Sequence, residues 1–197
     1  MAYDGNIEKH LKGAKHMEKA MEGRNAATYD RTKLLVMTAL FAALGYVATR
    51  VLMVPSPTGG YMNLGDTVVL LSAYLLGPLW GAAAGGIGSM LADLFAGYAL
   101  YAPATLVIKA VMAVLAALLY RARGKKSWSL VACGVAAEAV MVVGYWVYDG
   151  ILMGSLLGAA VGIPSNLVQA AFGLVASTAL TLALKASGYV RELFPAL

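Results

Sequence analysis

Between Lys33 and Arg50 the chain reads Leu34-Leu35-Val36-Met37-Thr38-Ala39-Leu40-Phe41-Ala42-Ala43-Leu44-Gly45-Tyr46-Val47-Ala48-Thr49, without one charged side chain. With its apolar flanks, about 33–53, this stretch is long enough to cross a bilayer core as a helix, which takes about 20 residues. It is too long for the apolar part of a signal peptide, and the head before it is too polar for one, so no cleavage is expected. The pattern returns at about 63–77, 79–100, 103–120, 128–148 and 164–185, with a shorter apolar stretch at 150–162. Pro and Gly punctuate most of the junctions, where helices end. The spacing predicts an all-α integral membrane protein, a bundle of six transmembrane helices.

Composition agrees. Of 197 residues 60% are hydrophobic and 13% charged, against about 45–50% and about 25% in soluble domains. This excludes a disordered chain and a coiled coil. A lone cysteine, Cys133, excludes a disulfide scaffold. The net charge of +5 does not indicate a nucleic-acid binder, because the basic residues sit at the ends and in one loop.

Charge placement sets the topology. Residues 1–33 hold Lys9, Lys12, Lys15, Lys19, Arg24, Arg31 and Lys33; a second cluster is Arg121, Arg123, Lys125 and Lys126; the tail adds Lys185 and Arg191. With six spans all of these fall on one side, leaving only Arg50 and Lys109 elsewhere. The positive-inside rule then places both termini in the cytoplasm. Three regions are expected: a polar cytoplasmic head at 1–32, either a surface helix or disordered, a membrane domain at 33–187, and a short cytoplasmic tail at 188–197. His10 and His16 fall on different faces of any helix in the head, and no metal site is expected.

Six charges remain inside or beside the spans: Arg50, Asp66, Asp93, Lys109, Glu138 and Asp149. Lys109 lies six residues below Pro103, or about 9 Å along a helix, and Glu138 about 16 Å below Asp149, near the midplane. Intramembrane charges cost several kcal/mol and usually face a partner or a cavity. Lys109 could pair with Asp93 or Glu138 as a structural lock, and Asp66 and Asp149 could be solvated span ends. Collectively, with Asn166 and Gln169, they describe a pocket open to the outer side and closed below. Tyr61, Tyr98, Tyr101, Tyr145, Trp146 and Tyr148 share that layer, as an interfacial belt or as stacking partners for a planar ligand. The Pro/Gly loop 54–60 lies over it as a candidate lid.

The opposite half is built for packing. Gly81-x-x-x-Gly85 and Ala82-x-x-x-Gly86 put small residues on one face of span 3, and Ala39-x-x-x-Ala43 does so on span 1. No HExxH, GxSxG or phosphate-binding motif with Lys is present, and no nucleophile has a neighbouring His. Enzyme activity and a bound cofactor are not expected.

Asn63-Leu64-Gly65-Asp66-Thr67, Leu71-Ser72-Ala73-Tyr74-Leu75-Leu76-Gly77-Pro78, the Gly/Ala run to Asp93, and Tyr101-Ala102-Pro103-Ala104-Thr105-Leu106-Val107-Ile108-Lys109 together resemble the substrate-binding S component of energy-coupling factor (ECF) vitamin transporters, riboflavin-type group. The resemblance covers about 33–185. It implies a six-helix subunit in a prokaryotic plasma membrane that binds a vitamin at its outer face. A transmembrane coupling subunit and two cytoplasmic ATPases would supply the energy. It assigns Ala39 and Ala43 to docking on the coupling subunit and the loop at about 53–62 to covering the ligand. Substrate contacts are expected from Asn63, Asp66, Asp93, Lys109, Glu138, Tyr145, Asp149, Asn166 and Gln169. Riboflavin, a pyridoxine-like compound or a thiamine-precursor pyrimidine would each suit. The rival readings are a stand-alone transporter or channel, and a membrane enzyme or assembly factor using Glu138, Asp93 and Lys109.

Overall fold

The computed structural model describes residues 31–194. The expectations for the head before Arg31, including both histidines, and for the last three residues lie outside that range. The chain divides into two compact units, 1–36 and 37–197. Of the first, residues 31–36 are described, and they are helical.

Helix α1 spans Arg31–Val51. A two-stranded antiparallel hairpin follows, with β1 (Val54–Pro55) paired to β2 (Tyr61–Met62) in the register Val54↔Met62. Then come α2 (Gly65–Leu76), α3 (Pro78–Ala96), α4 (Ala102–Ala122) and α5 (Ser129–Met153). A short α6 (Leu156–Ala159) and a 3-10 turn (Ala160–Gly162) run into α7 (Ile163–Ala186), and α8 is Gly188–Leu193. Five stretches are long and apolar enough to cross a membrane: α1, α3, α4, α5, and the run Leu156–Ala186. Each keeps large apolar side chains exposed, among them Leu44, Ile87, Val107, Val135 and Val175, as befits a lipid-facing surface.

The second expected span differs from the rest. It forms only the 12 residues of α2, about 18 Å of helix, well short of a core of about 30 Å. All of its residues are buried, because it packs against α3, α4 and α7. A helix that is apolar all round belongs inside, so its hydropathy reflects enclosure by protein. It ends at Gly77, whose φ of +83° suits glycine, and Pro78 opens α3 immediately afterwards.

The glycine run of α3 lets neighbouring backbones approach, within this chain. A Cβ on Gly81 would lie 2.7 Å from Ala73 Cα on α2, and one on Gly86 3.0 Å from the Leu106 carbonyl oxygen on α4. One on Gly88 would meet the backbone of Ala42 on α1. The apolar core gathers around Tyr74, Tyr120, Met112, Leu130 and Met141 with alanines of α4 and α5. The Tyr74 and Tyr120 rings meet edge-on at 5.1 Å, and the Tyr74 hydroxyl donates to the Leu130 carbonyl at 3.1 Å. At the other end of the helices, polar side chains collect beneath the hairpin.

Candidate functional site

Asp66 sits in the first turn of α2, where the helix dipole favours a negative charge. It is fully buried and forms an ion pair with Lys109 of α4, which is 1% exposed. Its second oxygen accepts from Gln169 Nε2 of α7 at 2.7 Å. The Gln169 carbonyl oxygen in turn accepts from the Asn63 backbone N–H at 2.7 Å, and the Asn63 side chain accepts from Gly65 N–H at 2.8 Å. These bonds tie α2, α4, α7 and the strand–helix junction together. The Lys109 ammonium also lies 5.3 Å from the centre of the Tyr145 ring, a favourable cation–π distance.

This corrects two sequence expectations. Lys109 pairs with Asp66 rather than with Asp93 or Glu138, and Asp66 is no solvated span end. The reason is enclosure: every residue of α2 is buried against α3, α4 and α7, so its first turn faces Lys109 and Gln169 rather than solvent. Asp149 is likewise 3% exposed and accepts from the Tyr101 hydroxyl.

Above this layer lies a small cavity of about 30 Å³. Six of the expected site residues line it: Asn63, Asp93, Tyr145, Asp149, Asn166 and Gln169. Asp66 and Lys109 are not in its wall. Glu138 lines a different, apolar crevice between α5 and α7, with Val135, Val142, Leu167 and Leu174. It is 4% exposed, and neither carboxylate oxygen has a hydrogen-bond partner among the described residues.

The cavity is shut. Its volume suffices for about one water. The hairpin supplies the cover, turning at Gly59 (φ +94°) with Ser56 N–H donating to the Gly60 carbonyl at 2.8 Å. Ser56 Oγ and Ser165 Oγ of α7 are hydrogen bonded at 3.1 Å. Tyr61 donates to Asp93 Oδ1 at 2.5 Å. The Tyr101 hydroxyl reaches Asp149 Oδ1 at 2.9 Å and the Thr58 carbonyl at 3.2 Å; its single proton favours the shorter, charged acceptor. Burial first, and then the carboxylate each one touches, push the Tyr61 and Tyr101 phenols above their ordinary value, so both stay protonated donors. Below them Thr105 Oγ1 and the Tyr145 hydroxyl are bonded at 2.9 Å. The sequence marked 54–60 as a lid and Tyr61 and Tyr101 as outer-layer aromatics, but not their bonds to Asp93 and Asp149. Ser56, Thr58, Gly60 and Thr105 also line the cavity, and only the hydroxyls in a Pro/Gly loop could have signalled the first two.

The protein is a multi-pass helical membrane protein with a polar cavity partly covered by a hairpin at one end. The comparisons make the class specific: residues 30–186 match the family described as ECF-type riboflavin transporter, S component, and the chain belongs to that family. It is the substrate-binding subunit of an ECF-type vitamin transporter. An uncharacterized protein in a gap 3′ region of Pyrococcus woesei is 37% identical over 141 residues, covering 71% of this chain and 93% of its own. The thiamine precursor transporter HmpT of Lactococcus lactis subsp. cremoris is 29% identical over 159 residues, covering 79% and 90%. A solved S component of a bacterial ECF transporter shares the fold, with a TM-score of 0.66 over 79% of this chain and 97% of that one at 20% identity.

Proposed function

We propose that this subunit captures a vitamin or vitamin precursor from outside a prokaryotic cell and presents it to a transmembrane coupling subunit driven by two cytoplasmic ATPases. On this reading α2 and the hairpin complete a sixth crossing, both termini are cytoplasmic, and the protein carries no catalysis of its own. The observation that supports it best is the cover: over one polar cavity the hairpin is bonded through Ser56 to Ser165 of α7 and through Tyr61 to Asp93 of α3, with Tyr101 bonded to Asp149 of α5 beside it. Asn63, Asp93, Tyr145, Asp149, Asn166 and Gln169 are the proposed substrate contacts, held in place by the Asp66–Lys109 pair beneath. A relative transports a thiamine precursor and the family is named for riboflavin, so a nitrogen heterocycle is the expected cargo.

Coupling is assigned to α1. Ala39 and Ala43 are both exposed, four residues apart on one helix face, while Ala42 turns inward against Gly88. Small residues on an exposed face let a second helix approach closely. Ala39→Trp combined with Ala43→Trp should leave substrate binding intact and abolish ATP-driven uptake in cells that carry the coupling module. Unchanged uptake would remove the docking assignment, and uptake by vesicles without any ATPase would favour a stand-alone transporter.

A further inference from the structure

We infer that the apolar crevice between α5 and α7 is a second ligand site, entered from the bilayer and selective for a small lipophilic amine that pairs with the Glu138 carboxyl. It is separate from the cavity under the hairpin, so its test does not depend on what that cavity binds.

The carboxyl itself comes first. Asp66, Asp93 and Asp149 each accept at least one side-chain hydrogen bond. Glu138 is 4% exposed, and both of its oxygens are buried with no hydrogen-bond partner among the described residues. It lies about 16 Å along α5 from Asp149, deep in the span. An unpartnered acid at that depth is costly and marks a site where something else meets it. The Lys109 ammonium is paired with Asp66, whose other oxygen is held by Gln169. That pair is neutral as a unit, so an ionised Glu138 is the odd charge of this layer, and one monovalent cation balances it.

The space around it is the second observation. The crevice measures about 380 Å³, against about 30 Å³ under the hairpin, and small-molecule sites run from about 300 to 1,000 Å³. Glu138 is the one polar side chain of its lining; the rest is Val, Leu and Ala. Val135, Val143 and Leu167 of that lining are exposed, on the surface that faces lipid, so an apolar molecule reaches the crevice without crossing water. Gly173 of α7 makes room for the carboxyl: a Cβ there would lie 2.7 Å from Glu138 Oε1 and 2.8 Å from Asp66 Cβ. An apolar body matches the aliphatic walls, and a single ammonium donates to the carboxylate in a charge-assisted bond. A neutral amine that takes the Glu138 proton, or an ammonium that meets the carboxylate, gives the same pair. An apolar acid would instead set a second carboxylate against the first.

The test places the full chain in phosphatidylcholine nanodiscs and treats it with dicyclohexylcarbodiimide, an apolar reagent for carboxyls. The carboxyl proton passes to one nitrogen of the reagent while a carboxyl oxygen bonds to its central carbon, and no group leaves. Peptide mass spectrometry should find the adduct on Glu138. 1-Adamantylamine should slow that labelling at least about tenfold, whereas 1-adamantanol and 1-adamantanecarboxylate, which share its apolar body, should slow it less than about twofold. Calorimetric titration with 1-adamantylamine, corrected for empty nanodiscs, should show binding that Glu138→Gln weakens at least about tenfold. Ala171→Phe fills the crevice from an exposed position and keeps the carboxyl, so it should weaken binding of the amine as well, and it serves where Glu138→Gln does not fold. An unlabelled Glu138, or amine binding unchanged in either variant, would overturn the inference. Equal protection by the alcohol or the acid would overturn it too, by showing that the crevice takes any apolar filling.

Discussion

Lys109 carries more of the fold than its position suggests. It is the only lysine or arginine between Arg50 and Arg121, and it is 1% exposed with its ammonium paired to Asp66. Removing one partner of such a pair leaves the other charged and buried, which costs about 3–5 kcal/mol, whereas replacing both with apolar groups is often neutral. Lys109→Met should therefore destabilise the protein by about that amount, and Asp66→Leu with Lys109→Met should recover a large part of it. Thermal unfolding in detergent reads both; equal losses in the single and double variants would show that the pair is not a unit. The sequence displayed each of these charges, and their depth was read from hydropathy. What it could not display was the pairing, because it depends on how α2 and α4, whose partners lie 43 residues apart, pack together.

The spans were legible to within a few residues wherever a helix faces lipid, because there the apolar run and the helix have the same ends. The ends of α2 were read as closely, 63–77 against Gly65–Leu76. What hydropathy could not show is that α3, α4 and α7 enclose this helix, Asp66 included. The apolar stretch at 150–162 likewise divides at Gly154, with φ of +66°, into the end of α5 and the short turns before α7. Close packing of α2 on α3 gives a direct test. Gly81→Leu places a side chain where a Cβ already lies 2.7 Å from the Ala73 backbone, and overpacking of this kind costs about 1–3 kcal/mol or more. Gly188→Ala is the control, since no atom lies within 4 Å of its Cβ and its φ is not positive. A Gly81→Leu protein as stable as the Gly188→Ala protein would show that α2 and α3 can part without loss.

At the scale of the whole molecule, hydrogen bonds at the hairpin end join parts far apart in sequence. Ser56 and Ser165 touch across the mouth with their hydroxyl oxygens 3.1 Å apart, so cysteines at the two positions should form a disulfide. The native Cys133 is fully buried and should not interfere. Oxidised Ser56→Cys/Ser165→Cys protein should neither bind nor release substrate, and reduction should restore both; exchange undiminished in the oxidised protein would mean that entry does not pass beneath the hairpin. The location of this site was legible as a charge map, a set of isolated acids and amides all on one side of the bundle. Its cover was not, because the bonds that hold it join loop hydroxyls and tyrosines that read equally well as an interfacial belt.

The cover has a kinetic meaning. Tyr61 and Tyr101 are bonded to the same two carboxylates that substrate is proposed to use, so the two hydroxyls compete with it. Apparent affinity is then the affinity of the open form reduced by the fraction of time spent open. Capture should saturate at a rate set by hairpin opening rather than by collision. Tyr61→Phe, which removes one of those competing donors, should speed both capture and escape.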